Sequence, residues 1–340
     1  MSRRLNVGII GAGRIGKLHA ENLSLRIPEA NVLAIADVYA DAAKQAASAF
    51  NIPKAYADHR AIMEDKDIEA VIVCSSTDTH AQMIEEAAAA GKHVFCEKPI
   101  DPQLAVIDRA LAAVEQAKVK LQVGFNRRFD PGFRRAHEMV AAGQIGQAHI
   151  LRITSRDPAP PPIAYVKVSG GIFFDMTIHD FDMARYLMGS EVEEVYAAGG
   201  VLVDPEIGKA GDIDTAVITL RFANGALGTI DNSRKAVYGY DQRVEVFGSA
   251  GVVIVGNQTP DNLVHSDAQG VHSALPLYFF MQRYTEAYIA EMREFIASIL
   301  GDKQTPVTGQ DGRAPVVIAY AAAKSYREHR PVRLSEITSN

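Results

Sequence analysis

The chain has 340 residues and a net charge of −6 at neutral pH, with 48% hydrophobic and 22% charged residues. That length suggests two domains of ordinary size, and the composition excludes disordered, collagen-like and coiled-coil chains. The acidic balance predicts no binding to nucleic acid or to an anionic membrane. No apolar run approaches the ~18 residues of a membrane span, and the N-terminus does not resemble a signal peptide. Two cysteines, Cys74 and Cys96, cannot form a disulfide framework, so we expect a cytoplasmic protein.

The chain begins with a pattern of strand, glycine-rich turn and helix. The apolar run Leu5–Ile10 is followed by Gly11-Ala12-Gly13-Arg14-Ile15-Gly16 and then by a helical pattern. In such a turn the first glycine allows the tight bend, the second admits a pyrophosphate, and the third lets helix pack on strand. The helix N-terminus offers free N–H groups to an anion. The turn therefore predicts a dinucleotide site at Gly11, Gly13, Arg14, Ile15 and Gly16.

The next predicted strand, Val32–Ala36, ends in Asp37, which lies 21 residues after Gly16. A carboxylate at this place is expected to accept hydrogen bonds from the ribose hydroxyls and to repel a 2′-phosphate. Val38 and Tyr39 follow, and neither carries the positive charge that a 2′-phosphate needs. The pattern favours NAD over NADP. The alternative is that Asp37 only caps a helix over Ala40–Phe50.

Strands and helices then alternate as far as Gly124, which is typical of βαβ units and a parallel sheet. The predicted elements are strand Ala70–Ser75, helix Thr79–Ala90, strand His93–Cys96, helix Leu104–Ala117 and strand Leu121–Gly124. Ligands bind at the carboxyl ends of such strands. Two segments follow those ends. The first is Ser75-Ser76-Thr77-Asp78-Thr79-His80, whose Ser76 and Thr77 either contact the nicotinamide half or cap the next helix. The second is Glu97-Lys98-Pro99, which alone could be a surface ion pair.

From about Gly146 the pattern changes to strands joined by hairpin turns, which indicates antiparallel pairing. The predicted strands are Ala148–Ser155, Glu194–Val203, Thr215–Phe222, Gly228–Ser233, Gln242–Phe247 and Gly251–Val255, and helices are predicted over Tyr284–Leu300 and Gly312–Glu328. We therefore predict an α/β protein. An N-terminal doubly wound Rossmann domain over residues 1–123 precedes a domain with a large, mostly antiparallel open sheet over residues 124–340.

One predicted helix of the second half carries candidate chemistry. With helical spacing, Asp175, His179 and Asp182 lie on one face, because they stand at i, i+4 and i+7. Carboxylates beside an imidazole can orient it and stabilise its protonated form, which suits a general base. The same residue types could instead bind a divalent ion.

The motifs together resemble one known family over essentially the whole chain. Four motifs have the order and spacing of the glucose-fructose oxidoreductase, inositol dehydrogenase and rhizopine catabolism (Gfo/Idh/MocA) family. They are Gly-x-Gly-x-x-Gly, Thr77-x-x-His80, Glu97-Lys98-Pro99 and Asp175-x-x-x-His179-Asp180. The inositol dehydrogenase branch is the most similar, through Gly124–Asp130, Ser155–Pro162 and Tyr238–Arg243. The resemblance implies a cis Lys98-Pro99 bond, no metal, and a dimer or tetramer formed through one face of the C-terminal sheet.

The same resemblance implies NAD-dependent oxidation of a cyclitol, with myo-inositol giving 2-keto-myo-inositol. His179 would be the base, Asp175 its orienting partner, and Lys98 the donor to the reacting oxygen. Besides the glycine-rich turn and Asp37, the expected cofactor contacts are Ser75, Ser76, Thr77, His80, Glu97 and Lys98. The candidates for binding ring hydroxyls are Asn126, Arg127, Asp182 and Tyr238, in addition to the three reacting residues. Three alternatives remain open: a dehydrogenase of another inositol isomer or sugar, an NAD-assisted glycoside hydrolase, and a non-catalytic dinucleotide sensor.

Overall fold

The structure is a computed structural model that describes residues 3–338. Those residues divide into two compact units. The first unit takes in the chain as far as Phe129 together with Glu286–Ala314, and the second takes in Asp130–Thr285 and Pro315–Thr338. The domain boundary between residues 123 and 124 stays a prediction. No described helix combines the length and the apolar character that crossing a membrane would require.

The first unit is built on a parallel sheet. Its strands are β1 Leu5–Ile10, β2 Ala30–Ala36, β3 Lys54–Tyr56, β4 Ala70–Val73, β5 His93–Glu97 and β6 Leu121–Gly124. They are ordered β3-β2-β1-β4-β5-β6, and every neighbouring pair is parallel. This order is that of a doubly wound Rossmann sheet, so the predicted fold of the first half is confirmed.

Helices connect these strands and cover the sheet. They are α1 Arg14–Leu25, α2 Ala40–Phe50, α3 Arg60–Glu64, α4 His80–Ala89 and α5 Leu104–Ala117. The strands are almost continuously apolar because both faces of the sheet are buried. The bounds predicted for the second and the fifth helix are confirmed. The short strand β3 and helix α3 were not predicted, because neither is long enough to show a clear apolar period.

The second unit combines short helices with a larger sheet. Its helices are α6 Pro131–Ala141, α7 Ile163–Val166, α8 Ile172–Asp175, α9 Ile178–Met188, α10 Pro205–Lys209 and α11 Phe280–Arg283. Its strands are β7 Ala148–Arg156, β8 Val192–Gly200, β9 Thr215–Phe222, β10 Leu227–Ser233, β11 Asp241–Gly248, β12 Gly251–Val255, β13 Val264–Asp267 and β14 Gly270–Ser273. The last two form a separate, fully exposed hairpin that was not predicted.

Three elements complete the chain: α12 Thr285–Leu300, α13 Gly309–Glu328 and β15 Val332–Arg333. From Glu286 onward α12 belongs to the first unit, where Met292 and Phe295 join the apolar core of the parallel sheet. Helix α13 contributes its residues up to Ala314 to the first unit and the rest to the second.

The larger sheet has the order β12-β11-β7-β10-β9-β8-β15. All its pairs are antiparallel except β7 with β10, which run parallel, so the mostly antiparallel sheet that the sequence predicts is confirmed. Side chains alternate between its faces. One face is buried, with Ile153, Ile218 and Ile230 within it. The other, which we call the open face, exposes apolar side chains such as Val217 and Ile254.

Candidate active site

The glycine-rich turn has the geometry that the sequence predicts. Gly11 adopts φ +101, and a Cβ there would lie 2.5 Å from the carbonyl oxygen of Cys74. A Cβ on Gly16 would lie 1.9 Å from the Gly11 oxygen. A Cβ on Gly13, by contrast, would meet nothing within 4 Å. Gly13 is the N-cap residue of α1 and makes no side-chain cap, so the N-terminal end of α1 suits an anion such as a pyrophosphate. Arg14 beside it is exposed and Ile15 is half-buried.

Asp37 braces this turn. One carboxylate oxygen, Oδ2, accepts a hydrogen bond from the Ala12 amide at 2.6 Å, and Oδ1 accepts one from the Tyr39 amide at 2.8 Å. The N-cap residue of α2 is Tyr39, so the alternative that Asp37 caps this helix does not describe the structure. The carboxylate is half-buried at the end of β2. The turn and its acidic residue therefore fit the ribose and pyrophosphate of a dinucleotide.

The loop that follows β4 is held by His80. Its Nδ1 lies 2.8 Å from the Pro99 carbonyl oxygen and its Nε2 lies 3.1 Å from the Ser75 carbonyl oxygen. The imidazole is 2% exposed and ties the loop after β4 to the segment after β5. Ser76 is exposed and Thr77 is half-buried, in a short 3-10 turn. Cofactor contacts by Ser75, Ser76, Thr77 and His80 stay predictions.

The carboxyl end of β5 carries Glu97, Lys98 and Pro99. The Lys98-Pro99 bond is cis, as the family resemblance implies. Lys98 is half-buried. The Glu97 carboxylate is directed into the unit, where Oε1 lies 2.8 Å from Nε2 of the fully buried His19. A Cβ on Gly124 of the neighbouring strand would lie 2.9 Å from Glu97 Oε2, so any larger residue there would displace this carboxylate.

Glu291 of α12 completes what we call the glutamate cluster, His19, Glu97 and Glu291. Their ligand-type atoms lie within 4.8 Å of one another, and such a group could hold a metal ion. The His19–Glu97 distance, however, is that of a hydrogen bond. Glu291 is fully buried, and neither of its carboxyl oxygens has a hydrogen-bond partner among the described residues. Burial, and then the Glu97 charge, raise the pKa of Glu291 well above its usual value.

Burial also raises the pKa of both cysteines, Cys74 and Cys96, well above the usual value for a thiol. Thiols of this kind are unreactive, which supports a structural rather than a nucleophilic role.

Asn126 and Arg127 lie in a 3-10 turn directly after β6 and are 3% and 5% exposed. The Nδ2 of Asn126 has no hydrogen-bond partner in the part of the chain that the structure describes. A buried donor without an acceptor is costly. It therefore marks Asn126 as a group that a polar ligand could satisfy.

In the second unit the segment that contains Asp175 and His179 is not one continuous helix, so that prediction is wrong. Helix α8 ends at Asp175 and α9 begins at Ile178. The amide of His179 bonds to the Met176 oxygen at 3.3 Å, three residues back, so the regular i to i+4 pattern is interrupted. Thr177 at the break donates its hydroxyl to Asn232 Oδ1 at 2.6 Å, and the Asn232 amide donates to Asp180 Oδ2 at 2.9 Å. This polar link fixes the break.

Both oxygens of Asp175 are engaged. Oδ1 accepts from the Tyr165 hydroxyl at 2.8 Å, and Oδ2 accepts from Nη1 of Arg234 at 2.9 Å. Burial, and then the Asp175 charge, raise the pKa of the Tyr165 hydroxyl. His179 is half-buried and Asp182 is 1% exposed, both on α9. The structure thus places these predicted residues on two successive helices.

Tyr238 lies in another environment. Its hydroxyl donates to Asp241 Oδ2 at 2.6 Å and accepts from Arg156 Nη1 at 3.1 Å. With Arg156 and Asp231 it lines a cavity of about 410 Å³. Arg156 and Asp231 alternate with the buried Ser155 and Asn232, so they lie on the open face. Substrate contact by Tyr238 stays a prediction.

Sequence reasoning missed Arg234, Asn232, Tyr165, His19 and Glu291. For the first two a signal was available: continued alternation along β10 places Asn232 and Arg234 on the same side as the buried Ile230. No signal was available for Glu291, because it is distant in sequence from the motifs.

Comparison with known proteins agrees with this geometry. Residues 5–125 match the Gfo/Idh/MocA oxidoreductase family model for an NAD-binding Rossmann fold, and residues 133–254 match the C-terminal domain model of that family. The myo-inositol 2-dehydrogenase of Thermotoga maritima is 53% identical over 98% of this chain and 99% of its own length. The inositol 2-dehydrogenase of Rhizobium meliloti is 46% identical over 96% and 98%.

A solved structure is also similar. The scyllo-inositol dehydrogenase of Lactobacillus casei, with bound NAD(H) and scyllo-inositol, has a TM-score of 0.92 and 30% identity over 98% of this chain and 100% of that one. Whole-length identity of this size, two matching domain models and a glycine-rich turn shaped for a dinucleotide show that the chain belongs to the Gfo/Idh/MocA family of NAD-binding oxidoreductases.

Proposed function

We propose that this protein is an NAD-dependent dehydrogenase of a cyclitol that oxidises myo-inositol to 2-keto-myo-inositol. The observation that carries the proposal is the whole-length similarity to relatives named inositol 2-dehydrogenase. The structure adds support because Asp175, one of the residues assigned to the chemistry, is held by Tyr165 and Arg234 at the end of α8. Such networks hold reactive groups in place.

The reaction removes a hydride from a carbinol carbon and a proton from its hydroxyl. NAD, when bound, accepts the hydride. We assign proton removal to His179, because histidine is the side chain that most often acts as a general base. Asp175 orients that imidazole, and the Lys98 ammonium stabilises the negative charge that develops on the oxygen. The products are a ketone, NADH and a proton, which His179 releases to solvent.

Binding of a polyol requires many fixed polar groups, because each unmatched buried group costs about 1–3 kcal/mol. Lys98, Asp175 and His179 contact the reacting hydroxyl in this proposal. Asn126, Arg127, Asp182 and Tyr238 bind the other ring hydroxyls. Asn126 has the firmest support among these four, since its buried Nδ2 has an unused donor within the described chain.

The cofactor assignment follows from the first unit. The glycine-rich turn, Gly11 to Gly16 with Arg14 and Ile15, binds the pyrophosphate, and Asp37 binds the adenosine ribose. The nicotinamide half is bound by residues that follow β4 and β5, namely Ser75, Ser76, Thr77, His80, Glu97 and Lys98. Of these, His80 and Glu97 act by holding the loops in place through their hydrogen bonds. Preference for NAD over NADP rests on Asp37 and on the absence of a basic residue at Val38 and Tyr39.

The test is a panel of cyclitols and hexoses, each with NAD and with NADP, followed by the absorbance of the reduced nicotinamide. Reduction of NAD with myo-inositol supports the proposal, and a preference for another ring identifies that ring as the substrate. Glycoside cleavage without net NADH would indicate an NAD-assisted hydrolase. NAD binding with no turnover of any polyol would indicate a sensor.

We further propose that the chain forms a dimer or tetramer through the open face. Monomeric proteins rarely expose a large contiguous apolar patch. Here Tyr196, Val217, Phe247 and Ile254 are between 41% and 66% exposed on strands of one sheet. Light scattering of the purified protein tests this, and charged substitutions at Val217 and Ile254 should yield monomers. The cytoplasmic location stays a prediction of the sequence.

A further inference from the structure

Arg234, directly after β10, is a buried cation whose role the motifs do not explain. It is 2% exposed, and it is the largest of the fully buried side chains in the described chain. Arginine is rarely buried without a partner, since an isolated interior charge is very costly. Alternation along β10 directs Arg234 to the same side as Asn232 and Ile230, toward α8 and α9.

The guanidinium faces three carboxylates from three segments. Nη1 donates to Asp175 Oδ2 at 2.9 Å and lies 3.8 Å from Asp157 Oδ2. Nη2 lies 3.9 Å from Asp212 Oδ2. We call these four residues the aspartate cluster. The one hydrogen bond goes to Asp175, the residue assigned to orient His179.

Asp212 and three residues outside the cluster fix the backbone on which Asp175 lies. Asp212 Oδ1 accepts from the amide of Ile172, the first residue of α8, at 3.0 Å. Tyr165 donates to the second oxygen of Asp175 at 2.8 Å. Asn232 holds the far side of the break through Thr177. The end of β10 therefore holds α8 through Arg234 and the start of α9 through Asn232.

We propose that Arg234 is a positioning residue for the oxidation: it fixes the Asp175 carboxylate in the orientation that His179 requires and supplies the positive charge that the three carboxylates of the aspartate cluster share. This inference rests on the proposed function and deepens it. Arg234 touches neither substrate nor cofactor in this scheme and acts through Asp175. Its directional guanidinium suits the role better than a flexible ammonium group.

The substitution Arg234→Gln removes the charge and keeps a shorter polar side chain. We expect kcat to fall by at least about tenfold, because a misplaced orienting group affects the chemical step. The KM for NAD should stay within about twofold, since the cofactor residues belong to the first unit. The deuterium isotope effect, measured with a polyol deuterated at the oxidised carbon, should increase as hydride transfer becomes more rate-limiting. Arg234→Lys, which keeps the charge, should recover part of kcat.

Arg185→Gln is the matched control. Arg185 lies near the C-terminal end of α9 and pairs with Glu191 at 2.7 Å. Its loss therefore removes an arginine ion pair from the helix that carries His179. Its kcat and isotope effect should equal those of the wild type. A reduced kcat in Arg234→Gln with an unchanged isotope effect would indicate only a smaller folded fraction and would overturn the proposal. So would a wild-type kcat.

Two further measurements separate the possible failures. If Arg234→Gln does not fold, Arg234→Lys decides: a lower kcat with a larger isotope effect supports the proposal, and wild-type values overturn it. If the wild type oxidises no polyol, the proposed function fails by itself. Crystal structures of the wild type and Arg234→Gln then test the positioning role, which an Asp175 carboxylate unmoved in the variant would refute.

Discussion

Each unit contains a group of carboxyls that is wholly or partly buried, and the two groups differ in what accompanies the carboxyls. The glutamate cluster of the first unit contains no permanent cation, only His19, and the pKa of Glu291 is raised by its burial. The aspartate cluster of the second unit surrounds a fully buried arginine. The interior tolerates a carboxyl in two ways, by leaving it protonated or by placing a cation beside it. The first describes Glu291, and the second describes Asp175 beside Arg234.

This difference matches what lies next to each cluster. Glu97 is followed directly by Lys98, a positive group that needs a rigid strand end. Asp175 lies four residues before His179, and in the proposed function it orients this imidazole, whose charge changes during the reaction. The hydrogen bond between Glu97 and the buried His19 suits the first task, while a carboxylate held by Tyr165 and Arg234 suits the second.

The largest effects should come from the two side chains to which the proposed function assigns the chemistry. We expect His179→Ala and Lys98→Ala each to lower kcat by ~10²–10⁴-fold, the usual contribution of a general base or of an electrostatic stabiliser. NADH binding, measured by fluorescence titration, should change little in His179→Ala. Turnover near the wild-type value in either variant would remove that residue from the mechanism.

The glutamate cluster can be broken sterically at Gly124. In Gly124→Ala the new Cβ would lie 2.9 Å from Glu97 Oε2, so the carboxylate must move off His19. Overpacking of this kind costs about 1–3 kcal/mol of unfolding free energy. Chemical denaturation measures the loss. Gly251→Ala is the control, because it also lies in a strand and its Cβ would meet only ordinary contacts at 4.0 Å. Equal stabilities of the two variants would contradict the tight fit at Glu97.

The protonation of Glu291 predicts how stability depends on pH. Since its pKa is raised in the folded state, the folded protein retains a proton that the unfolded chain loses above about pH 4.3. The wild type should therefore lose stability as pH rises from there toward the folded pKa, by at most about 1.4 kcal/mol per pH unit from this group. Glu291→Gln should lack that contribution.

The measurement is the free energy of unfolding of both proteins across that pH range, and the difference between them isolates Glu291. A constant difference would mean that Glu291 is ionised in the folded protein. The two kinds of cluster would then not differ in the way described above.

The features that depend on local sequence could be predicted, and those that depend on distant residues could not. The Rossmann strand order, the helices Ala40–Phe50 and Leu104–Ala117, and the tight packing at Gly11 and Gly16 were predictable, because apolar periodicity and glycine spacing are local signals. The break between Asp175 and Ile178 was not predicted. It depends on Asn232, more than 50 residues away in the chain, which bonds to Thr177 and Asp180.

Neither cluster could be predicted from local sequence patterns. The glutamate cluster joins α1, β5 and α12, and Glu291 lies almost 200 residues after Glu97. Its burial depends on the packing of α12 onto the parallel sheet, which no short motif encodes. In the aspartate cluster, alternation along β10 predicts that Arg234 points inward, while its partners Asp157 and Asp212 come from loops without regular periodicity.

The smallest expected effect is that of Tyr165→Phe, which removes one of the two donors to Asp175 and leaves Arg234 in place. Arg234 still holds the other carboxylate oxygen, so the loss of this one hydrogen bond should cost about 1 kcal/mol. We expect kcat to fall only a few-fold, with an unchanged KM for NAD, in steady-state assays beside Arg234→Gln. If Tyr165→Phe were the more damaging variant, the hydroxyl rather than the buried arginine would hold the carboxylate. The fixed charge of Arg234 would then not be the difference between the two clusters.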